Sequence, residues 1–218
     1  MTIPVLTRDA VEPLLDWGAL ADALAEGHRG PRAEIGDQFL HRGDDTLLSR
    51  AAWIDGLGIA VKSVSVFPGN PAQGRPSIHG ALLLFDDATG TVEAVIDNQL
   101  VTRWKTAADS LLGARLLAQP DAARLLIVGA GPVAESLVEA YRSHWPDIDI
   151  SVWNRTPEKA QDLADRFGLT AVTDLEAAVG QAHIVATATM ARQPVLKGDW
   201  LRPGQHLDLI GAFTAEMR

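Results

Sequence analysis

The chain contains no cysteine. Disulfides, thiolate metal sites and cysteine nucleophiles are therefore excluded, and a cytoplasmic setting is the simplest expectation. No run of about 18 apolar residues occurs, so no transmembrane helix is expected. The opening stretch, MTIPVLTRDAVEPLL, has neither a basic start nor a long apolar run, so no signal peptide is expected. An excess of positive charge is also missing. The formal net charge is -9 at pH 7, which argues against nucleic acid and anionic membrane as partners, since both call for a basic surface. The six histidines are scattered and none stands at ligand spacing from another, so no metal site is expected. Short repeats and low-complexity tracts are absent.

What remains is a chain of 218 residues, 47% hydrophobic and 22% charged. That is ordinary globular composition, long enough for one large domain or two smaller ones. Its character changes near residue 120. Before that point, segments 57–67 (LGIAVKSVSVF) and 78–85 (IHGALLLF) are rich in residues that suit a sheet. Asp87-Ala88-Thr89-Gly90 reads as a turn, with a returning strand over 91–96. Residues 102–118 then place Trp104, Ala107, Ala108, Leu111, Leu112 and Leu116 at helical spacing. Gln119-Pro120-Asp121 ends that helix and marks the expected boundary between domains 1–119 and 120–218.

Beyond residue 120, strands and helices alternate, which implies a parallel sheet with helices on both faces. Strands are expected at 125–128, 150–153, 184–186 and 207–210. Thr156-Pro157-Glu158 starts a helix with a cap and a first-turn proline. Thr173-Asp174-Leu175-Glu176 has a capping-box pattern. Gly129-Ala130-Gly131-Pro132-Val133-Ala134 fits G-x-G-x-x-A between a strand and a helix. Gly129 permits the tight turn, Gly131 lets backbone approach a pyrophosphate, and Ala134 allows close helix packing. The free N–H groups of the helix start favour the phosphates. The end of the next strand reads Asn154-Arg155-Thr156, where an NAD site usually carries Asp or Glu. No carboxylate opposes a 2′-phosphate there, and Arg155 can pair with one. The expected cofactor is NADP(H), with NAD(H) as the alternative.

Several motifs occur together in order: Lys62 within GIAVKSVSVFPGN, RPSIHGALLLFD, DDATGTVEAVID, TRWKTAADS, VGAGPVA, NRTPEKA, HIVATAT and LRPGQHLDLIGAF. With them the chain resembles the ornithine cyclodeaminase/mu-crystallin family, and most closely its cyclic imine reductase branch. The resemblance implies an α/β protein with a Rossmann-type parallel-sheet dinucleotide domain and an α+β substrate-binding and dimerisation domain. It implies a homodimer. It also implies that a C-terminal segment of the family is missing here. Cofactor contacts are then expected from Gly129, Gly131, Pro132, Val133, Asn154, Arg155, Thr156, the strand end Thr187-Ala188-Thr189, and Leu209 and Gly211 beside the nicotinamide.

Lys62 matches the family's catalytic lysine. Strand periodicity puts Ala60, Val64 and Val66 on its face. An ammonium there is costly unless paired, and burial moves such a group toward useful acid/base range. Ser77 stands where the family has a substrate-contacting threonine. His79, two residues on, is a second-rank proton donor. Lys105 replaces the family's carboxylate-binding arginine. Read as lying in the first turn of its helix, it is disfavoured by the dipole unless an anion binds there; the bland alternative is an ion pair with Asp109. A second family arginine has no clear match, with Gln38 near its place and His41, Arg42 or Arg50 as candidates to compensate. Phe213 replaces the aspartate of the cyclodeaminases, which argues for reduction of a preformed imine over deamination. The expected activity is NADPH-dependent reduction of a small cyclic imino acid, Δ1-pyrroline-2-carboxylate or Δ1-piperideine-2-carboxylate. The alternatives are an ornithine- or lysine-type cyclodeaminase using bound NAD, and a non-catalytic NADPH-binding crystallin-like protein.

Overall fold

The computed structural model describes residues 2–212. Two compact units emerge, one of Met1–Leu15 and Ala25–Thr102, the other of Asp16–Leu24 and Arg103–Arg218.

The first unit is built on a six-stranded sheet. After β1 (Val5–Leu6), α1 (Arg8–Val11) and α2 (Trp17–Arg29) come β2 (Glu34–Arg42), β3 (Asp45–Ile54), β4 (Gly58–Val66), β5 (Ile78–Phe85) and β6 (Val92–Asp97), in sheet order β1-β6-β5-β4-β3-β2. Pairing is antiparallel except for β1 on β6. The strands at 58–66, 78–85 and 92–97 fall where the sequence pattern puts them. The β2–β3 hairpin is less legible. It turns through Gly43-Asp44, with Gly43 at φ +57, a conformation that favours glycine. Its strand pattern is blurred because β2 is exposed along its whole length and shows no buried alternation.

The second unit begins with the N-terminal part of α2, whose Asp16 side chain accepts the Ala19 N–H (2.8 Å). Trp17 of α2 stacks on Trp104 with ring centroids 3.9 Å apart. Trp104 belongs to α3 (Asn98–Leu117), which starts earlier than residue 102. Asp97 accepts the Gln99 N–H (2.8 Å) and supplies the start signal there. The expected division after residue 119 falls inside this unit. The reason is that α3 is anchored within it: Ala107, Ala108, Leu111 and Ala114 are fully buried, and Arg103 and Ser110 bond to later elements.

The rest of the unit alternates β7 (Arg124–Val128), α4 (Pro132–His144), β8 (Asp149–Trp153), α5 (Pro157–Phe167), β9 (Thr170–Ala171), α6 (Leu175–Gln181), β10 (Ile184–Thr187) and β11 (His206–Leu209). All five strands are parallel, in the order β11-β10-β7-β8-β9. The sheet thus winds outward in both directions from β7. Its central strands are buried on both faces: Leu125, Leu126, Ile127, Val128, Ile184, Val185 and Ala186 are at most 1% exposed. Two caps differ from expectation. Thr156 stands at the start of α5 without a side-chain cap bond, and Pro157 opens the helix. At α6 the cap is Asp174, accepting from Ala177 N–H (3.0 Å), while the Thr173 carbonyl accepts from the Trp153 indole. Among the described residues, no helix is long and apolar enough to cross a membrane.

Candidate functional site

The second unit gathers its expected cofactor residues at the carboxyl edge of the parallel sheet. β7 ends at Val128 and the chain turns through Gly129, at φ +123. A Cβ at that position would lie 2.5 Å from the Ala188 carbonyl oxygen, so only glycine fits. Hydrogen bonds stitch the strand ends together: Ala188 N–H donates to Val128 (2.8 Å), and Gly129 N–H to Trp153 (2.8 Å). Gly211 abuts Thr189 so closely that a Cβ there would overlap its backbone. The turn after β7, the Asn154 turn after β8, and the ends of β10 and β11 are thereby assembled at the point where the sheet reverses direction, the usual ligand position in open α/β sheets.

The loop itself has room for an anion. No side chain caps α4 at Gly131, and a Cβ on Gly131 would meet nothing within 4 Å. The helix start therefore offers backbone N–H groups to open space. These features fit a dinucleotide pyrophosphate. At the end of β8, Asn154 Nδ2 donates to the Thr156 carbonyl (3.0 Å), fixing a turn that presents Arg155 and Thr156, both exposed. A groove of about 590 Å³ next to Ala130 is lined by Lys159, Asp162, Leu163, Asp165 and Arg166. Arg166 is held by Glu135.

In the first unit, Lys62 lies half-buried in the middle of β4, and it is the one charged residue of that strand. The register sets Arg50 opposite Lys62 and Asp37 opposite Arg50. Arg50 grips Asp37 with two hydrogen bonds, Nε to Oδ1 (2.6 Å) and Nη2 to Oδ2 (2.5 Å). That guanidinium holds the Asp37 carboxyl below its ordinary range. His79 does not join this row. It pairs with Ser65, one residue out of phase with Lys62, and so occupies the opposite face of the sheet. Ser77 lies just before β5, half-buried, its carbonyl accepting from Phe67 N–H (2.7 Å). That His79 and Lys62 lie on opposite faces could only be read from the β4–β5 register.

Lys105 does not stand at a helix start. α3 begins at Asn98, so Lys105 sits beyond the first turn, where the end charge is no longer felt. Its ammonium pairs with Asp109, one turn on, and remains largely exposed.

One polar cluster in the second unit was not legible in the sequence. Asp208, in the middle of β11, contacts Ser110 Oγ and accepts from the Tyr141 hydroxyl (3.4 Å), while Ser110 and Tyr141 stand 3.3 Å apart. Tyr141 is fully buried. Burial pushes the Asp208 carboxyl up to about 6, against the Tyr141 hydrogen bond, with Asp109 adding to the rise. Burial first, then the Asp208 charge, raises the Tyr141 phenol. The only sequence signal is a carboxylate between the two leucines of the parallel strand HLDL. Among the described residues no group of acidic and histidine side chains is arranged to hold a metal.

The order of the parallel sheet and its glycine turn define a Rossmann-type α/β protein carrying a second, mixed-sheet unit. The model of the ornithine cyclodeaminase/mu-crystallin family matches residues 51–218, and the chain belongs to that family. It is 55% identical over 210 residues to a Δ1-pyrroline-2-carboxylate reductase of Paracoccus denitrificans, covering 94% of this chain and 66% of that enzyme. It is 33% identical over 162 residues to the mouse ketimine reductase mu-crystallin, covering 73% of this chain and 52% of the mouse protein. The chain thus spans between half and two thirds of these relatives. Among solved structures, a Δ1-pyrroline-2-carboxylate reductase of Thermococcus litoralis, in complex with NADH and L-proline, superposes with a TM-score of 0.78 at 25% identity, covering 95% of this chain and 67% of that one. An iminosuccinate reductase of Paracoccus denitrificans, in complex with NAD+, gives 0.85 at 20% identity over 99% of this chain and 70% of its own, a likeness of fold. Phe213 lies outside the described residues.

Proposed function

We propose that this chain is a reductase of cyclic imino acids, taking Δ1-pyrroline-2-carboxylate or Δ1-piperideine-2-carboxylate to L-proline or L-pipecolate with NADPH. The observation that carries this reading is the similarity, over 94% of the chain, to the Paracoccus Δ1-pyrroline-2-carboxylate reductase. The second unit supplies a fitting cofactor cradle. Gly129, Gly131, Pro132 and Val133 would hold the pyrophosphate, the 187–189 strand end would follow it, and Leu209 and Gly211 would flank the nicotinamide. When bound, the nicotinamide supplies a hydride to C2 of the imine. The groups of the first unit handle the rest. Lys62 would keep the imine nitrogen protonated, which makes C2 electrophilic. Ser77 would donate its hydroxyl to the substrate carboxylate. Lys105 keeps a carboxylate role only through its match to the family arginine. Substrate positioning supplies much of the acceleration in such a reaction.

The preference for NADPH rests on the turn after β8. No carboxylate ends that strand, and Arg155, Thr156 and Lys159 are exposed around it, Lys159 on the groove beside Ala130. Two cations within reach suit a 2′-phosphate. Arg155→Leu is expected to weaken NADPH binding about 10- to 100-fold, in line with the loss of a charge-assisted pair, and to leave NADH binding nearly unchanged. Fluorescence titration with both cofactors reads this directly, and tighter NADH than NADPH binding by the wild type would overturn the NADPH assignment. The reaction itself is tested by NADPH oxidation with each imine and by ammonia assays. Ammonia released from ornithine without added cofactor would replace reduction by cyclodeamination.

A homodimer through the first unit belongs to the same proposal. Leu40 and Leu47 face each other on one side of the β2–β3 edge with Trp53 beyond, each at least 41% exposed. Exposed apolar clusters at a sheet edge mark association surfaces. Leu40→Asp is expected to convert a dimer to monomer in sedimentation velocity, and a wild-type monomer would remove the dimer from the proposal.

A further inference from the structure

Asp208 is a carboxylate that the reductase reading leaves without a task. It sits on β11, the edge strand of the parallel sheet, in register with Ala186 of β10. Its side chain is half-buried and turns toward the helices. There it accepts from Ser110 Oγ of α3 and from the Tyr141 hydroxyl of α4 (3.4 Å). Among the described residues no cation pairs with it. The cations of the two helices are engaged elsewhere: Lys105 with Asp109, Arg103 with Glu139, Arg115 with Asp22, and Arg142 with the Phe167 and Gly168 carbonyls. On α4, Glu135 holds Arg166. Burial lowers His144 on α4, with Arg115 adding to the effect, and burial also lowers His206, two residues before Asp208. Burial first, with Asp109 adding to it, pushes the Asp208 carboxyl up to about 6, against the Tyr141 hydrogen bond.

An asparagine of the same shape would offer Ser110 and Tyr141 the same acceptor oxygen, so hydrogen bonding does not account for the charge. An ionisable group kept in such surroundings is a candidate for function. Its place says what that function is. Leu209 follows it directly, and Gly211, three residues on, packs against Thr189 at the carboxyl edge of the sheet. Three strand residues span about 10 Å. At that range, with an effective dielectric of about 20 and ordinary salt, one carboxylate favours the appearance of a positive charge about 5- to 20-fold. Hydride donation creates such a charge. The C4–H bond of the nicotinamide breaks, its electron pair forms the new C–H bond at C2 of the protonated imine, and the positive charge passes from the imine to the ring.

We propose that Asp208 sets the preference of the cofactor site between oxidation states, its carboxylate favouring the cationic ring of NADP+ over the neutral ring of NADPH and so drawing hydride donation forward. It touches neither substrate nor ring and acts through its field. The assignment rests on the nicotinamide lying beside Leu209 and Gly211, and it is independent of which imine is reduced. The preference is present where the carboxylate is charged, above about pH 6, and declines as pH falls through that value. By linkage, NADP+ binding in turn favours ionisation of Asp208.

The test is binding without turnover. NADPH and NADP+ are titrated calorimetrically into wild type, Asp208→Asn and Ser110→Ala at pH 5 and pH 8. The 2′-phosphate is common to both cofactors, so its own titration cancels in the ratio of their dissociation constants. NADH and NAD+ serve as a second pair that lacks it. At pH 8, Asp208→Asn is expected to weaken NADP+ binding about 5- to 20-fold and to leave NADPH within about twofold. Ser110→Ala keeps the charge and is expected to keep the wild-type ratio. The wild-type ratio is expected to move toward that of Asp208→Asn at pH 5, while the ratio of Asp208→Asn stays flat. An unchanged ratio in Asp208→Asn would overturn the proposal. So would equal weakening of both cofactors, which is what a structural role produces, or a loss of preference in Ser110→Ala as large as in Asp208→Asn. A wild-type ratio that is the same at both pH values overturns it without any variant. If the ratios behave as expected but no cyclic imine oxidises NADPH, the reductase reading falls and the role of Asp208 stands. If wild type binds neither pair, both fall.

Discussion

Lys62→Met is expected to lower kcat for reduction of Δ1-pyrroline-2-carboxylate about 10²- to 10⁴-fold, the usual contribution of a positioned general acid. Lys62 is the one charged residue of β4, and on its own face its strand neighbours are Ala60 and Val64. No other group of that strand can deliver a proton. A neutral imine is a poor hydride acceptor, so loss of the ammonium falls on the chemical step. Cofactor affinity is expected to hold within about twofold, because the glycine turn and the β8 end belong to the other unit, and sites that share no partners are close to independent. Stopped-flow hydride transfer and NADPH titration separate the two effects. A kcat within a few fold of wild type would remove Lys62 from the chemistry. A parallel collapse of NADPH binding would instead point to a structural role.

The second large effect concerns stability. Asp208→Asn is expected to stabilise the protein above pH 6 by about 2–3 kcal/mol and to have almost no effect below pH 4. The folded-state carboxyl of Asp208 titrates at about 6, against 3.8 for the free side chain, chiefly because it is buried. A difference of about two units corresponds to about 3 kcal/mol. The folded form binds the proton more tightly than the unfolded form. Between pH 3.8 and 6 the folded chain therefore carries more protons, and this group's contribution to stability declines as pH rises. Above pH 6 the carboxylate is charged in both states, and the folded state bears its full desolvation cost. Asparagine keeps an acceptor for Ser110 and Tyr141 and has no charge to desolvate. Urea unfolding of both proteins at several pH values gives the difference curve, in which other titrating groups cancel. A flat difference, or destabilisation at pH 8, would show that the ionised carboxylate is well compensated by its hydroxyl partners.

The two effects differ in how far the sequence announced them. Lys62 was visible as a charge in the middle of a strand-like run, and the family motifs around it were unambiguous. In the sequence pattern Asp208 is one more strand residue. Nothing local distinguishes a carboxylate that ends in solvent from one that meets Ser110 and Tyr141, which lie in helices far away along the chain. Lys105 shows the reverse error. A helix start at residue 102 puts it in the first turn, whereas the Asp97 cap sets the start at Asn98.

By itself the sequence determined the alternating strands and helices of the second unit beyond residue 120. Gly129, the apolar runs that became β7, β8 and β10, and the helical spacing of α4 and α5 are all local signals, repeated within a few residues. Parallel strands buried on both faces leave little freedom in how such signals assemble. Only the tertiary structure decided which first-unit residues stand together. Strand alternation tells which residues of one strand share a face, but pairing between strands depends on turns and register, and a slip of one residue exchanges the faces. That register separated His79 from Lys62 and set Arg50 beside it.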